Sequence, residues 1–117
     1  MEEQAIIDLV TYNQLKDLMG GDFLVELIDT YNTETAALIE RLGQALVSGE
    51  VVSFERFAHS IKSSSASLGA LTFSQQAREL EMMGKAHDLS GASLKLEQLA
   101  ANFQQVKRYL EELRDEP

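Results

Sequence analysis

Several residue types and patterns are missing from this chain. There is no cysteine, which excludes disulfide bonds and thiolate chemistry and is typical of a reducing cytoplasm. The single proline is the last residue, Pro117, so no proline interrupts a helix from within. No segment alternates apolar and polar residues as a half-buried strand would, and no internal repeat is present. These absences predict an all-α protein without covalent cross-links.

Long apolar runs are missing as well. No run approaches the length of a membrane span, and the acidic start Met1-Glu2-Glu3 lacks the positive charge of a secretion signal. We therefore expect a cytoplasmic protein that makes no contact with membranes.

Basic residues and glycine-rich loops are scarce. The 19 acidic residues outnumber the 10 lysines and arginines, and the net charge is −9. Such a charge repels phosphate backbones, so nucleic-acid binding is not expected. Neither the GxxxxGK nor the GxGxxG phosphate-binding motif occurs, so the chain has no recognisable ATP site.

Apolar residues recur mostly three or four positions apart, which predicts amphipathic helices. Capping boxes of the form Thr-x-x-Gln predict helix starts at 11–14 and 72–75, and Asp22 is predicted to cap a long second helix. Glycines predict the ends of the first four helices, at Gly20-Gly21, at Gly49, at Gly69 or Ala70, and at Gly84. The third helix is predicted to start between Val51 and Ser53.

Four substantial helices with short links predict an antiparallel up-down-up-down four-helix bundle with a short extra N-terminal helix. We expect a single domain over 1–117, with 1–10 as an apolar lead-in and 115–117 as a frayed tail. A monomer is expected because one bundle can bury all four apolar stripes.

The predicted third helix carries a histidine on its polar side. At about 100° per residue, His59 projects about 150° away from the apolar stripe. Lys62, Ser63 and Ala66 lie one or two turns further along nearly the same side. The pattern predicts an exposed imidazole with a cation one turn away and small side chains around it. The stripe itself comprises Phe54, Phe57, Ala58, Ile61, Ser65 and Leu68.

The segment His59-Ser60-Ile61-Lys62-Ser63-Ser64-Ser65, followed by Leu68-Gly69-Ala70, resembles the phosphorylation-site helix of histidine-containing phosphotransfer (HPt) domains. The family pattern is His-x-x-Lys-Gly, two small residues, and then Leu-Gly-Ala. Ser63 departs from it where the family usually has glycine, a change that we expect to tune rate or partner choice. Asp22-Phe23, Ala45-Leu46 and Leu80-Glu81 also resemble family landmarks, so the similarity covers nearly the whole chain.

The resemblance implies a phosphocarrier of two-component phosphorelays, not an enzyme with its own turnover. His59 would carry the phosphoryl group on Nε2, and Lys62 would stabilise the phosphoryl oxygens. In relatives, an acidic or amide residue three positions before a glycine orients the histidine. Glu81 stands in that position relative to Gly84 and is expected to accept a hydrogen bond from Nδ1.

The resemblance also implies partners. Receiver domains of response regulators, or a hybrid sensor histidine kinase, would provide the aspartate and the Mg²⁺, and this chain would bind no cofactor. Ser63 and Ala66 would leave room for the partner's loop, and Ser64 would either do the same or donate a hydrogen bond. Apolar residues of the first two helices are candidates for docking: Leu18, Met19, Phe23 and Leu24.

Three other interpretations remain. The first is a non-catalytic helical scaffold that binds a response regulator or kinase. The second is a metal site formed by His59, Glu81 and His87, although this ligand set is thin and His87 is expected to be an exposed loop residue. The third is an enzyme, for which no nucleophile–base–orienter set suggests itself.

Overall fold

The computed structural model describes residues 6–116, and within this range all regular structure is helical. The helices are α1 (Leu9–Met19), α2 (Gly21–Ser48), α3 (Val51–Ser67), α4 (Leu71–Lys85) and α5 (Ala92–Arg114). Helices α2 to α5 form the bundle: α3 and α5 each pack against both α2 and α4, while α1 packs against α2. The predicted four-helix bundle with a short N-terminal helix is therefore confirmed. None of the described helices is long and apolar enough to span a membrane.

Apolar stripes from all four long helices meet in one core. Each stripe follows the three-to-four spacing of a helix face, and burying one such side chain stabilises the fold by about 1.5–3 kcal/mol. The fully buried large residues include Ile28, Leu42, Phe54, Ile61, Leu68, Leu80, Leu99 and Leu110. The predicted third-helix start is confirmed at Val51, and α3 ends at Ser67, just before Gly69.

Helix α1 begins at Leu9, so the capping box predicted at 11–14 is wrong. Asp8 is the N-cap residue, and its carboxylate accepts a hydrogen bond from the backbone N–H of Thr11, with an N–O distance of 3.2 Å. The backbone N–H of Asp8 donates to the carbonyl of Gly69 at 2.7 Å, which fixes Asp8 in the extended conformation that a cap requires. Residues 1–5 of the predicted lead-in lie outside the described residues.

The other two predicted caps are also displaced. The N-cap of α2 is Gly20, and Asp22 lies in the first turn, where its charge still suits the helix dipole. Helix α4 begins at Leu71 with Ala70 as its N-cap, so the capping box predicted at 72–75 falls inside the helix. The link after α3 reverses the chain at Gly69, and α4 starts immediately after it. Helix α4 continues one residue beyond Gly84, to Lys85.

A buried polar contact joins α2 to α3. Ser65 is fully buried, as its position on the apolar stripe predicts, and its Oγ lies 2.6 Å from the hydroxyl of Tyr31. Burial raises the pKa of Tyr31 to about 12, against the smaller lowering effect of its hydrogen bonds to Ser65 and Thr35. The tyrosine therefore stays neutral, and its hydroxyl satisfies the buried serine.

Gly69 lets α1 approach the end of α3. Its φ of +90° is one that L side chains rarely adopt. A Cβ at this position would also lie only 2.8 Å from the carbonyl oxygen of Asp8. Glycine is therefore required both by the turn and by the packing of α1.

A Gly69→Ala variant should separate these two requirements when it is compared with Gly91→Ala. Gly91 has a similar φ of +80°, but a Cβ there would meet nothing within 4 Å. Both variants carry the backbone cost, about 1–2 kcal/mol. We expect Gly69→Ala to lose about 1–3 kcal/mol more in the free energy of unfolding, because the Cβ forces Asp8 away. Urea unfolding measures the difference, and equal losses would contradict the packing role of Gly69.

Candidate functional site

The His59 side chain lies on the outer face of α3. It is 58% exposed, whereas its neighbours Ala58 and Ile61 are fully buried. The ring is therefore at the surface, where the helical spacing predicts it, and a docking molecule can reach it.

The carboxylate of Glu81, on α4, holds one edge of the ring. Nδ1 of His59 lies 2.6 Å from Oε2 of Glu81, whose side chain is only 3% exposed. An ionised carboxylate can only accept a hydrogen bond, so Nδ1 carries the proton. In the neutral ring, Nε2 then has a free lone pair. The arrangement thus selects the tautomer whose nucleophilic nitrogen is Nε2.

Lys62 binds the other oxygen of the same carboxylate. Its Nζ donates to Oε1 of Glu81 at 2.8 Å, and the lysine is half-buried. The backbone carbonyl of Lys62 also accepts a hydrogen bond from the Ser74 hydroxyl at 2.8 Å. The sequence pattern predicts Lys62 near the histidine but does not predict this ion pair. Glu81 therefore bridges the imidazole and the ammonium group, and two contacts tie α4 to this turn of α3.

Opposing effects act on the pKa of Glu81. Burial alone would raise it, but the hydrogen bonds from Lys62 and His59, together with the positive charge of Lys62, hold the pKa below its ordinary value. Glu81 is consequently ionised at neutral pH and accepts a hydrogen bond at each oxygen.

The cleft between α3 and α4 contains two cations that the sequence analysis missed. Arg56 lies three residues before His59, and Lys85 lies four residues after Glu81, so each shares a helix face with the site. The sequence places Lys85 near the site only once Glu81 is known to contact His59, because Lys85 lies one turn after Glu81 on the same helix. The full lining of the cleft is Glu55, Arg56, His59, Ser60, Lys62, Glu81 and Lys85.

A second groove, between α2 and α3, begins on the other side of His59. Ser63 and Ser64 are exposed and line it, while Ala66 is half-buried. The hydroxyl of Ser64 donates to the carbonyl of Ser60 at 2.9 Å, so it is engaged with its own helix. His59 therefore lines both the cleft and this groove. The α2 side of the groove comprises Leu27, Thr30, Tyr31, Glu34, Thr35 and Leu38.

The predicted docking residues divide into exposed and buried ones. Leu18 is 84% exposed, and Met19 and Phe23 are also exposed. Leu24 is only 2% exposed, so its prediction as a docking residue is wrong. It lies four residues before Ile28 on the stripe of α2 that faces the core, which turns its side chain away from solvent.

His87 lies in the loop after α4 and is exposed, as predicted, with a backbone φ of 53°. Over residues 6–116, no three histidine, aspartate or glutamate side chains group closely enough to hold a metal ion.

A Glu81→Gln variant should be less stable than the wild type, in a pH-dependent way. The pKa of the Glu81 carboxyl is lower in the folded than in the unfolded state. Its contribution to the free energy of unfolding is therefore fully present above the ordinary pKa of 4.5, and it is lost as the pH falls through the folded-state pKa. We expect the free energy of unfolding to fall by about 1–2 kcal/mol at pH 7, because the charged Lys62 would then be paired with a neutral amide in place of a carboxylate.

Urea unfolding between pH 7 and pH 3 measures this, and the two proteins should converge at the acid end. Glu79→Gln is the matched control on α4, because Glu79 forms only an exposed ion pair with Lys95, at 3.5 Å. Its loss should stay below about 1 kcal/mol. A Glu81→Gln loss that is the same at every pH would contradict the ionised, bridging carboxylate.

The chain is similar to known proteins in both sequence and fold. The Hpt domain family matches residues 26–116. The crystal structure of histidine-containing phosphotransfer protein B (HptB) from Pseudomonas aeruginosa PAO1 is similar, with a TM-score of 0.89 and 25% identity over 96% of each chain.

An X-ray structure of a candidate histidine-containing phosphotransfer protein from rice has the same fold, with a TM-score of 0.79 and 19% identity over 95% of this chain and 82% of that one. No curated protein sequence matches. The family match covers most of the sequence, and the chain therefore belongs to the Hpt domain family, whose members are phosphocarriers.

Proposed function

We propose that this protein shuttles a phosphoryl group between aspartates of receiver domains, with Nε2 of His59 as the carrier atom. The observation that supports this most strongly is the exposed imidazole whose Nδ1 is held by the buried carboxylate of Glu81, at 2.6 Å. A carrier histidine needs an accessible nucleophilic nitrogen in a fixed orientation. Both conditions are met at one position.

The proposed transfer breaks the P–O bond of a partner's aspartyl phosphate and forms a P–N bond to Nε2, releasing the aspartate carboxylate. Nδ1 keeps its proton throughout, so the ring becomes positively charged as the bond forms. The carboxylate of Glu81 stabilises that charge from the opposite edge of the ring. Transfer to the next receiver domain reverses the same step.

Cations beside the ring would offset the charge of the moving phosphoryl group. Arg56, Lys62 and Lys85 line the cleft next to His59 in a protein whose net charge is −9. Phosphoryl transfer depends mainly on positioning and on neutralising this charge. Lys62 would contribute although it is bound to Glu81, because its ammonium group has three donors.

The partner would supply what the chain does not provide. We propose that a receiver domain, free or within a hybrid sensor kinase, brings the acceptor aspartate and its Mg²⁺. This chain would have neither its own ATP site nor its own turnover. Phosphorelay partners act in the cytoplasm, and the protein would act there with them.

The docking surface would extend from His59 along the groove between α2 and α3. Leu27 lines this groove, and Phe23, exposed, lies one turn before it on α2. On the α3 side the groove is lined by small side chains, including Ser60 and Ser63. A partner helix laid along this groove would contact both His59 and Leu27, and the exposed apolar side chains of Phe23 and Leu18 would extend the docking surface.

Replacing His59 by glutamine should abolish phosphorylation. We expect the wild type, incubated with a phosphorylated receiver domain, to gain an acid-labile and alkali-stable phosphoryl group, and His59→Gln to gain none. The measurement is transfer of labelled phosphate, resolved by gel electrophoresis.

His87→Gln is the matched control, since His87 is exposed but lies outside the cleft. It should accept phosphate like the wild type. Full labelling of His59→Gln would exclude the carrier role. An unlabelled wild type that still bound and regulated the receiver domain would instead indicate a scaffold.

Removing the cleft cations should slow transfer. We expect Arg56→Ala and Lys85→Ala each to lower the transfer rate by about fivefold, as for an exposed charge worth about 1 kcal/mol. The effect should shrink at high salt, because exposed charges are screened. Arg108→Ala, on α5, is the control for net charge. Equal effects of all three variants would show that the cleft cations have no local role.

A further inference from the structure

Gly84 brings α4 unusually close to α3. A Cβ at this position would lie 2.9 Å from Cβ, 3.0 Å from Cα and 3.1 Å from the backbone nitrogen of Glu55. Carbon atoms normally pack at about 3.5–4.0 Å. Because two of the three contacts are to backbone atoms, no side-chain rotation can relieve them. Only a separation of the two helices would make room.

This contact is one turn away from the proposed functional pair. Gly84 lies three residues after Glu81, and Glu55 lies four residues before His59, so both are helical neighbours of the pair. On the other side, the hydrogen bond from Ser74 to the carbonyl of Lys62 joins the same two helices. The bond between His59 and Glu81 is therefore bracketed by two interhelical contacts.

We propose that Gly84 is a positioning residue, which sets the spacing between α3 and α4 so that the carboxylate of Glu81 reaches Nδ1 of His59. The proposal rests on the proposed function. A Cβ at position 84 would push the helices apart by about 0.5 Å or more to restore normal contact distances. The buried Glu81 side chain binds both His59 and Lys62 on α3, so a wider gap between the helices would lengthen these two hydrogen bonds.

Not every glycine within a helix has such a role. Gly43 lies inside α2, and a Cβ there would contact only Cδ2 of Leu96, at 4.0 Å, which is an ordinary packing distance. Alanine at position 43 should therefore fit and favour the helix. This makes Gly43→Ala a suitable stabilised background and a matched control for the same chemical change.

The test compares G43A with G43A/G84A. The first readout is the ¹⁵N NMR spectrum of the His59 ring in unphosphorylated protein, which reports the Nδ1–H tautomer. The second is the rate of phosphorylation by phosphoramidate, a small donor that needs no docking surface. The phosphorylation rates of the two proteins are then measured again in a background that also carries Glu81→Ala. Circular dichroism and thermal unfolding confirm that each variant is folded at the temperature used.

We expect G84A to reduce the population of the Nδ1–H tautomer and to lower the phosphorylation rate about tenfold, because the orienting bond is misplaced. With Glu81→Ala present, G84A should have no further effect. An unchanged tautomer, or an equal loss of rate without Glu81, would overturn the proposal. The NMR readout requires no phosphate, so it remains decisive even if His59 proved not to carry a phosphoryl group.

Discussion

The hydrogen bond between Nδ1 of His59 and Glu81 is the interaction on which the rest of the site depends. A buried carboxylate is costly unless it is paired, and here each oxygen accepts a charge-assisted hydrogen bond, at 2.6 Å from His59 and 2.8 Å from Lys62. The same pairing fixes the imidazole tautomer. Because all three groups project from rigid helices, small changes in helix spacing act directly on the geometry of the imidazole.

The bundle could be predicted from the sequence because its signals are local. Three-to-four apolar spacing and glycine stops identify the helices, and short links make neighbouring helices antiparallel. The helix starts were less predictable, because tertiary contacts select among several possible caps. Asp8 caps α1, in place of Thr11, since its backbone also pairs with Gly69 at the end of α3. That contact joins segments about sixty residues apart, and no local pattern reports it.

The site was predictable where it depends on one helix and unpredictable where it depends on two. The periodicity of α3 alone places His59 at the surface with Lys62 one turn away. The ion pair of Lys62 with Glu81, and the position of Lys85 in the cleft, follow only from the register of α4 against α3. Leu24 shows a different failure: an apolar residue near a helix start is exposed or buried according to which face the bundle covers. The resemblance to HPt domains indicated Glu81, which spacing on α3 could not.

The most direct measurement of the central claim is the position of the phosphoryl group on the ring. Protein labelled with ¹⁵N-histidine and phosphorylated by a receiver domain can be examined by ¹⁵N and ³¹P NMR, which distinguish the two ring nitrogens. If Glu81 holds Nδ1–H, the phosphoryl group is on Nε2 of His59 and Nδ1 keeps its proton. A phosphoryl group on Nδ1 would contradict this, because it would require the bond to Glu81 to break.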